Sequence, residues 1–285
     1  MSHATALIIN AGTKEEVDEA MYPYWELDLK REDMFKDSRA EFNSEILVED
    51  LEKRFQKFMK DPENKNFLSK EKISYSSAKD WVDSYHRYYL NREKTAYGYY
   101  SNPKAKWDWC SIGGRWAGFF LLKQEAVMSV ENISNRELTQ KSWCNENELI
   151  TSNKTDVACM GDIDWEGMRQ ESFERACEAW KKIAALKRKI KSTDKKKSDM
   201  AKGDLYFRYG YEVDKNISKK DYIRNYCHPH TFAVLKNGEW FESGEMGWWG
   251  MVRDEKPKKT WEEMFDELMI DVTDDIMLTV VDYHI

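Results

Sequence analysis

The sequence predicts an α+β fold: a central sheet joining N- and C-terminal strands, with large helical insertions and an aromatic-rich core. Three observations predict it. Short apolar runs bounded by polar residues stand near both ends, at residues 5–10 (TALIIN) and 277–283 (MLTVVDY), and such runs read as strands. When both ends are core-like, they lie side by side in one sheet, and the middle of the chain becomes an elaboration. Between them, apolar residues recur at spacings of three and four, the period of a helix with one buried face. Aliphatic residues are sparse while aromatics reach 14%, with 12 Trp, 15 Tyr and 12 Phe, so rings must supply much of the buried apolar area.

Taken in order, residues 14–20 read as a short helix, and residues 22–29 (YPYWELDL) carry a proline and an alternation that argue for extended or irregular backbone. Leu47, Leu51, Phe55 and Phe58 predict an amphipathic helix over 45–60 that stops before Pro62. A second helix spans 77–91, with Trp81, Tyr85, Tyr88 and Tyr89 on one side. Residues 116–122 (WAGFFLL) read as a buried strand, and residues 131–153, rich in Asn, Ser and Glu without a period, as a long excursion. Trp165, Met168, Phe173, Ala176, Trp180, Ile183 and Ile190 form one stripe on a long helix over 165–190 that packs on its own domain or on a partner.

The lysine-rich stretch 187–202 suits a solvated helix end and flexible linker. Tyr206, Phe207, Tyr209 and Tyr211 suggest a strand over 204–213. Ser218 is a good cap for a helix over 218–225. Asn237-Gly238 between TFAVL and EWF is a strong hairpin signal, and 260–269 reads as a last helix with Trp261, Met264, Phe265 and Leu268 inward. The organisation expected is a core of residues 1–44, 95–130 and 204–285, a helical insertion at 45–94, and a polar excursion with the long helix at 131–203.

A net charge of −7 with 34% charged residues favours solubility and disfavours indiscriminate binding to nucleic acid. No direct nucleic-acid binding is expected. The chain has no run of eighteen apolar residues, and its first ten residues (MSHATALIIN) lack the features of a signal peptide, so no membrane association and a cytoplasmic location are expected. The five cysteines, Cys110, Cys144, Cys159, Cys177 and Cys227, are odd in number and widely spaced, which suits reduced thiols.

The most informative stretch is 102–118 (NPKAKWDWCSIGGRWAG), with a second at 244–250 (GEMGWWG). Tryptophan supplies a large rigid surface, and glycine lets backbone turn or approach closely, so both read as built platforms. Gly113-Gly114 lacks the spacing and lysine of a phosphate loop. Arg115, flanked by Trp107, Trp109 and Trp116, either stacks on an indole or presents a fork to phosphate or carboxylate. Cys227-His228-Pro229-His230 is a tight cluster of soft ligands without a second cluster to complete a zinc site. Cys110 has no histidine close in sequence to act as its base. No metal, no cofactor and no catalytic constellation are expected.

The motifs NPKAKWDWCSIGGRWAG, GEWFESGEMGWWGMV and VVDYHI together resemble a family of phage and bacterial proteins with an N-P-x-A-K-W-D-W-x-x-I-G-G-R-W signature. A narrower resemblance is to phage anti-defence proteins of the Gabija-inhibitor type, which assemble around a host nuclease complex without catalysis. The resemblance implies a phage-encoded, non-enzymatic protein that binds and inhibits a host defence complex in the host cytoplasm; homo-oligomers are expected separately, because the long striped helix over 165–190 has a face to bury. Tryptophan and arginine make good interface anchors, so the candidate binding residues are Arg115, Trp107, Trp109, Trp248, Trp249 and Trp180, with further partner contacts from 131–153 and 187–202. The alternative is an enzyme acting on a nucleotide or nucleic acid, which requires a pocket around Arg115 holding an acid of perturbed pKa.

Overall fold

A computed structural model describes residues 2–27, 36–85, 88–138, 140–141, 153–209, 217–247 and 251–285. The chain forms two compact units, Met1–Met21 with Trp109–Ile285, and Tyr22–Asp108. The first begins with β1 (His3–Ile9) and α1 (Lys14–Met21). The second holds β2 (Glu41–Leu47), α2 (Leu51–Lys60), α3 (Pro62–Glu71), α4 (Ala78–Asp83), β3 (Tyr89–Leu90) and β4 (Ala96–Ser101). The chain then returns to the first unit through β5 (Trp109–Gly114), β6 (Phe120–Leu121), α5 (Val130–Leu138), β7 (Gln140–Lys141), β8 (Lys154–Thr155) and β9 (Val157–Cys159). The rest of that unit is α6 (Trp165–Ile190), α7 (Lys195–Tyr209), α8 (Lys219–Tyr226), β10 (Ala233–Lys236), β11 (Glu239–Glu242), β12 (Glu245–Met246), β13 (Val252–Arg253), α9 (Lys258–Met269) and β14 (Met277–His284).

The two terminal strands pair as the sequence predicts. β1 and β14 run antiparallel from His3↔His284 to Ile9↔Leu278, at the centre of a sheet ordered β11-β10-β1-β14-β5-β7. On its other side β14 pairs first with β9 and then with β5, while β1 pairs with β10 in parallel. The sheet is therefore mixed. Successive side chains on a strand point to opposite faces. Leu7, Val234, Leu278 and Val280 share one face, in a cluster with Phe120, Met168, Trp261 and Phe265. Their neighbours Ala6, Ile8, Val281 and Tyr283 point the other way and are also at most 1% exposed, so both faces are covered. The hairpin turns where its sequence says it should: Asn237 and Gly238 both have positive φ, 53° and 75°, the conformation a tight hairpin of this twist requires. Ser218 caps α8 by accepting from the Asp221 N–H.

Residues 204–213 depart from expectation. The described part of this stretch continues α7 as helix instead of forming a strand. The aromatic run resembles a strand, but Ser198, Ala201 and Leu205 recur at helical spacing and are the buried positions. Leu205 joins Ile183 of α6 and Tyr222 of α8 in one core cluster, and that packing outweighs the weak β preference of the exposed Tyr206 and Phe207. The lysine-rich stretch is accordingly the tip of a helical hairpin: α6 ends at Ile190 and α7 begins at Lys195.

In the second unit, Ile46, Leu51, Phe55, Ala78, Trp81, Val82 and Tyr97 form a separate core. The expected helix over 45–60 begins only at Leu51, because Ile46 and Leu47 pair with Tyr97 and Ala96 of β4. Pro62 starts a further helix as well as closing the previous one. Asp61 accepts from the Glu63 N–H at 2.8 Å, and a proline in the first turn surrenders an N–H that has no partner there anyway. The second expected helix is confined to Ala78–Asp83. In the first unit, only Phe120–Leu121 of 116–122 is strand, and α5 gives order to part of the expected excursion.

Candidate functional site

The boundary between the units falls inside the tryptophan platform. Trp107 belongs to one unit and Trp109, Arg115 and Trp116 to the other. In the latter, Gly113, Gly114 and Gly118 all have positive φ, at 72°, 53° and 81°. These turns aim backbone N–H groups at two buried carboxylates. Arg115 N–H donates to Asp282 Oδ2 at 3.0 Å, while His3 Nδ1 lies 2.8 Å from Asp282 Oδ1. Gly118 N–H meets both oxygens of Asp156 at 2.8 and 2.9 Å, and Phe119 N–H donates to Oδ1 at 2.9 Å. Asp156 is 0% and Asp282 1% exposed. A buried carboxylate is tolerated only with such partners, so the segment GGRWAG is a cradle for two of them. Arg115 and Trp116 themselves are exposed, as is Trp109 at 51%, whose ring meets the His3 ring edge-on at 6.1 Å.

Trp107 is half-buried in the second unit, bridged to Trp25, with ring centroids 6.3 Å apart. Among the described residues, an arginine that stacks on aromatics is Arg39. Its guanidinium sits 3.9 Å above the Tyr22 ring and 5.4 Å from that of Trp25, and it forks onto Asp37 at 3.0 and 2.7 Å. Its distance in sequence from the tryptophan run concealed it. Trp180 is half-buried, 5.4 Å from the Tyr222 ring with Lys187 over it, and so helps to hold α6 to α8. Trp248 and Trp249 lie outside the described residues.

Two features lie beyond the six candidate binding residues, although the sequence marked 187–202 for partner contacts and Cys227–His230 as an incomplete metal cluster. The first is the outward face of α7. Met200 is 65% exposed and Phe207 85%, with Tyr206 at 52%. Seven residues separate Met200 from Phe207, two helical turns, so they share a face. Gly203 lies between them, with nothing within 4 Å of where a Cβ would stand. Phe173 of α6 is also exposed, because it lies off the centre of the stripe made by Met168, Ser172, Ala176 and Ile183. The hairpin tip, 187–202, carries eight Lys and Arg against two Asp, a strongly positive end on an acidic protein.

The second feature surrounds the histidine turn. His228 and His230 stack at 5.3 Å, His230 lies 4.5 Å from the Phe265 ring, and His228 Nε2 is 3.2 Å from Glu262 Oε1. Burial, with smaller effects from His228 and Arg169, pushes His230 down from 6.5 to about 4, so it is neutral at pH 7. A cleft of about 120 Å³ opens on one side of the turn, lined by Met160, Trp165, Arg169, Phe265 and Met269 among others. A polar cleft of about 280 Å³ opens on the other, with Lys256, Lys258 and Glu262 in its wall. A third, of about 680 Å³ in the second unit, is lined by Lys53, Arg54 and Lys57 beside Asp50 and Asp61. None of these three is lined by Arg115.

Cys110 is half-buried, and its burial, together with the charge of Asp18, raises it to about 12, so it stays a thiol. Among the described residues no group of three or more His, Cys, Asp or Glu is placed to hold a metal ion, and no helix is long and apolar enough to cross a membrane. The chain matches no family model, no curated protein and no solved structure.

Proposed function

We propose that this chain acts by binding a protein partner, and that the contact surface is the outward face of α7 with the basic tip of its hairpin. The observation that supports this most is the exposure of Met200, Tyr206 and Phe207 on a helix whose opposite face is already packed. Contiguous apolar exposure of this kind marks interaction sites. Burying these three side chains against a partner stabilises by roughly 5 kcal/mol before association costs. The eight cations at the tip call for a partner with an apolar groove edged by carboxylates.

The partner we assign is a bacterial antiviral defence complex containing a nuclease. The chain is then a phage-encoded inhibitor acting in the host cytoplasm by occupancy instead of catalysis. That assignment rests on the resemblance of the tryptophan motifs, and the surface chemistry supports the mode of action. The alternative enzyme requires Arg115 in a concave pocket with a perturbed acid, and Arg115 is exposed outside the three clefts. The test is binding of the purified chain to purified Gabija-type nuclease complexes, with the stoichiometry read by light scattering. A stoichiometric complex that weakens at least about a hundredfold in Met200→Asp/Phe207→Asp supports the reading. Absence of a complex, or only a homo-oligomer with this face at its interface, overturns it.

A further inference from the structure

We propose that the cleft of about 680 Å³ in the second unit binds a nucleoside polyphosphate. Its cations come from one stretch of α2. Lys53, Arg54 and Lys57 line it, and residues three and four apart are neighbours on a helix surface, with Cβ atoms about 5–6 Å apart. The three charges therefore stand within about one turn of the helix. All are exposed, and no hydrogen bond or ion pair joins any of them to another described residue. Of the two carboxylates in the wall, Asp61 already accepts from the N–H groups of Glu63 and Asn64. Asp50 stands one turn before Lys53 and Arg54, and an exposed pairing there is too weak to withhold them from a phosphate.

The wall beside these cations is aromatic. Phe58 lies one turn beyond Arg54, half-buried, with its ring 5.3 Å from that of Trp81 and 6.3 Å from that of Tyr75, so it is held in place where it borders the cleft. A fixed ring gives a base a surface to stack on while adjacent cations take the phosphates, the pairing that holds nucleotides in basic grooves. The volume falls within the range of ~300–1,000 Å³ that small-molecule sites occupy. A terminal phosphate carries about −1.5 to −2 charges at pH 7, fewer than the three cations, so the match improves with a second phosphate in the chain. Inorganic phosphate would leave the ring unused, and an uncharged nucleoside the cations. This site is independent of the α7 surface.

Isothermal titration of the full chain with ADP, pyrophosphate and adenosine, at about 0.15 M ionic strength, tests the proposal. ADP is expected to bind with Kd below about 1 mM, pyrophosphate about tenfold more weakly, and adenosine not measurably. Lys53→Gln/Lys57→Gln removes two charges from exposed positions and leaves folding intact, so it should weaken ADP and pyrophosphate at least about tenfold. Phe58→Leu should bring ADP down to the affinity of pyrophosphate and leave the latter unchanged. Lys195→Gln/Lys196→Gln, which removes the same charge from the exposed start of α7, should bind ADP as wild type. No binding of ADP at ~10 mM, equal affinity for ADP and pyrophosphate, or an equal response of ADP affinity to the two lysine double variants overturns the proposal. A single-stranded oligothymidylate that binds more tightly than ADP, and weakens in Lys53→Gln/Lys57→Gln, would also overturn it, in favour of a nucleic-acid groove.

Discussion

Replacing Gly114 by alanine tests whether the double glycine exists to bring backbone against a buried carboxylate. Gly114 has φ +53°, and a Cβ there would stand 2.5 Å from Asp282 Oδ2 and 2.7 Å from Ser111 Oγ. Those side chains are short, belong to paired strands and are 1% and 5% exposed, so neither can swing aside. A left-handed conformation costs an alanine about 1–2 kcal/mol, and overpacking a tight interior about 1–3 kcal/mol. The sum, about 2–5 kcal/mol, is a large share of the roughly 5–15 kcal/mol that holds a domain folded. Hydrogen exchange at the β14 amides, followed in increasing urea, isolates this sheet from the second unit. Gly203→Ala is the control: it has open space around it in the middle of α7, where alanine favours helix by about 1 kcal/mol. A loss below about 1 kcal/mol in Gly114→Ala, or an equal loss in both variants, would refute the cradle.

Asp156→Ala strands the N–H groups of Gly118 and Phe119 without acceptors in a buried site, and should cost about 2–4 kcal/mol in urea unfolding. His230 supplies a pH signature. Its folded pKa of about 4 lies below its ordinary 6.5, so the unfolded chain takes up the proton first as pH falls. Stability is therefore full above about pH 6.5, declines down to about pH 4 by about 2 kcal/mol after allowance for its partial exposure, and then levels off with respect to this group. His230→Phe should flatten that part of the thermal-stability curve against pH, and an unchanged curve would contradict the burial argument.

The elements legible in the sequence were those whose signals are local and unopposed. The TALIIN and MLTVVDY runs, the Asn237-Gly238 turn and the Ser218 cap all act within a few residues and reappear as β1, β14, the β10–β11 turn and the start of α8. What failed were segments whose local signal competed with packing. Tyr206 and Phe207 suggest a strand in isolation, yet Leu205 and Ala201 fix a helix because α6 and α8 offer them a core. Pro62 reads as a stop, and only the Asp61 side chain makes it a start. The platform was legible as unusual but not in purpose, since Asp156 and Asp282 lie 38 and 167 residues from the N–H groups they engage. The α7 face was concealed for the opposite reason: exposed and buried aromatics look identical until the helix that carries them is known.

The most direct test of where this protein works is a paired comparison on one purified Gabija-type nuclease complex, measuring affinity for the wild-type chain, for Phe207→Asp and for Arg115→Ala. Phe207 is 85% exposed and Arg115 exposed, so neither substitution should move stability by more than about 0.5 kcal/mol, and the affinities can be compared directly. The account predicts that Phe207→Asp abolishes binding while Arg115→Ala binds as wild type. Retained binding by Phe207→Asp together with its loss in Arg115→Ala would place function on the tryptophan platform and contradict it.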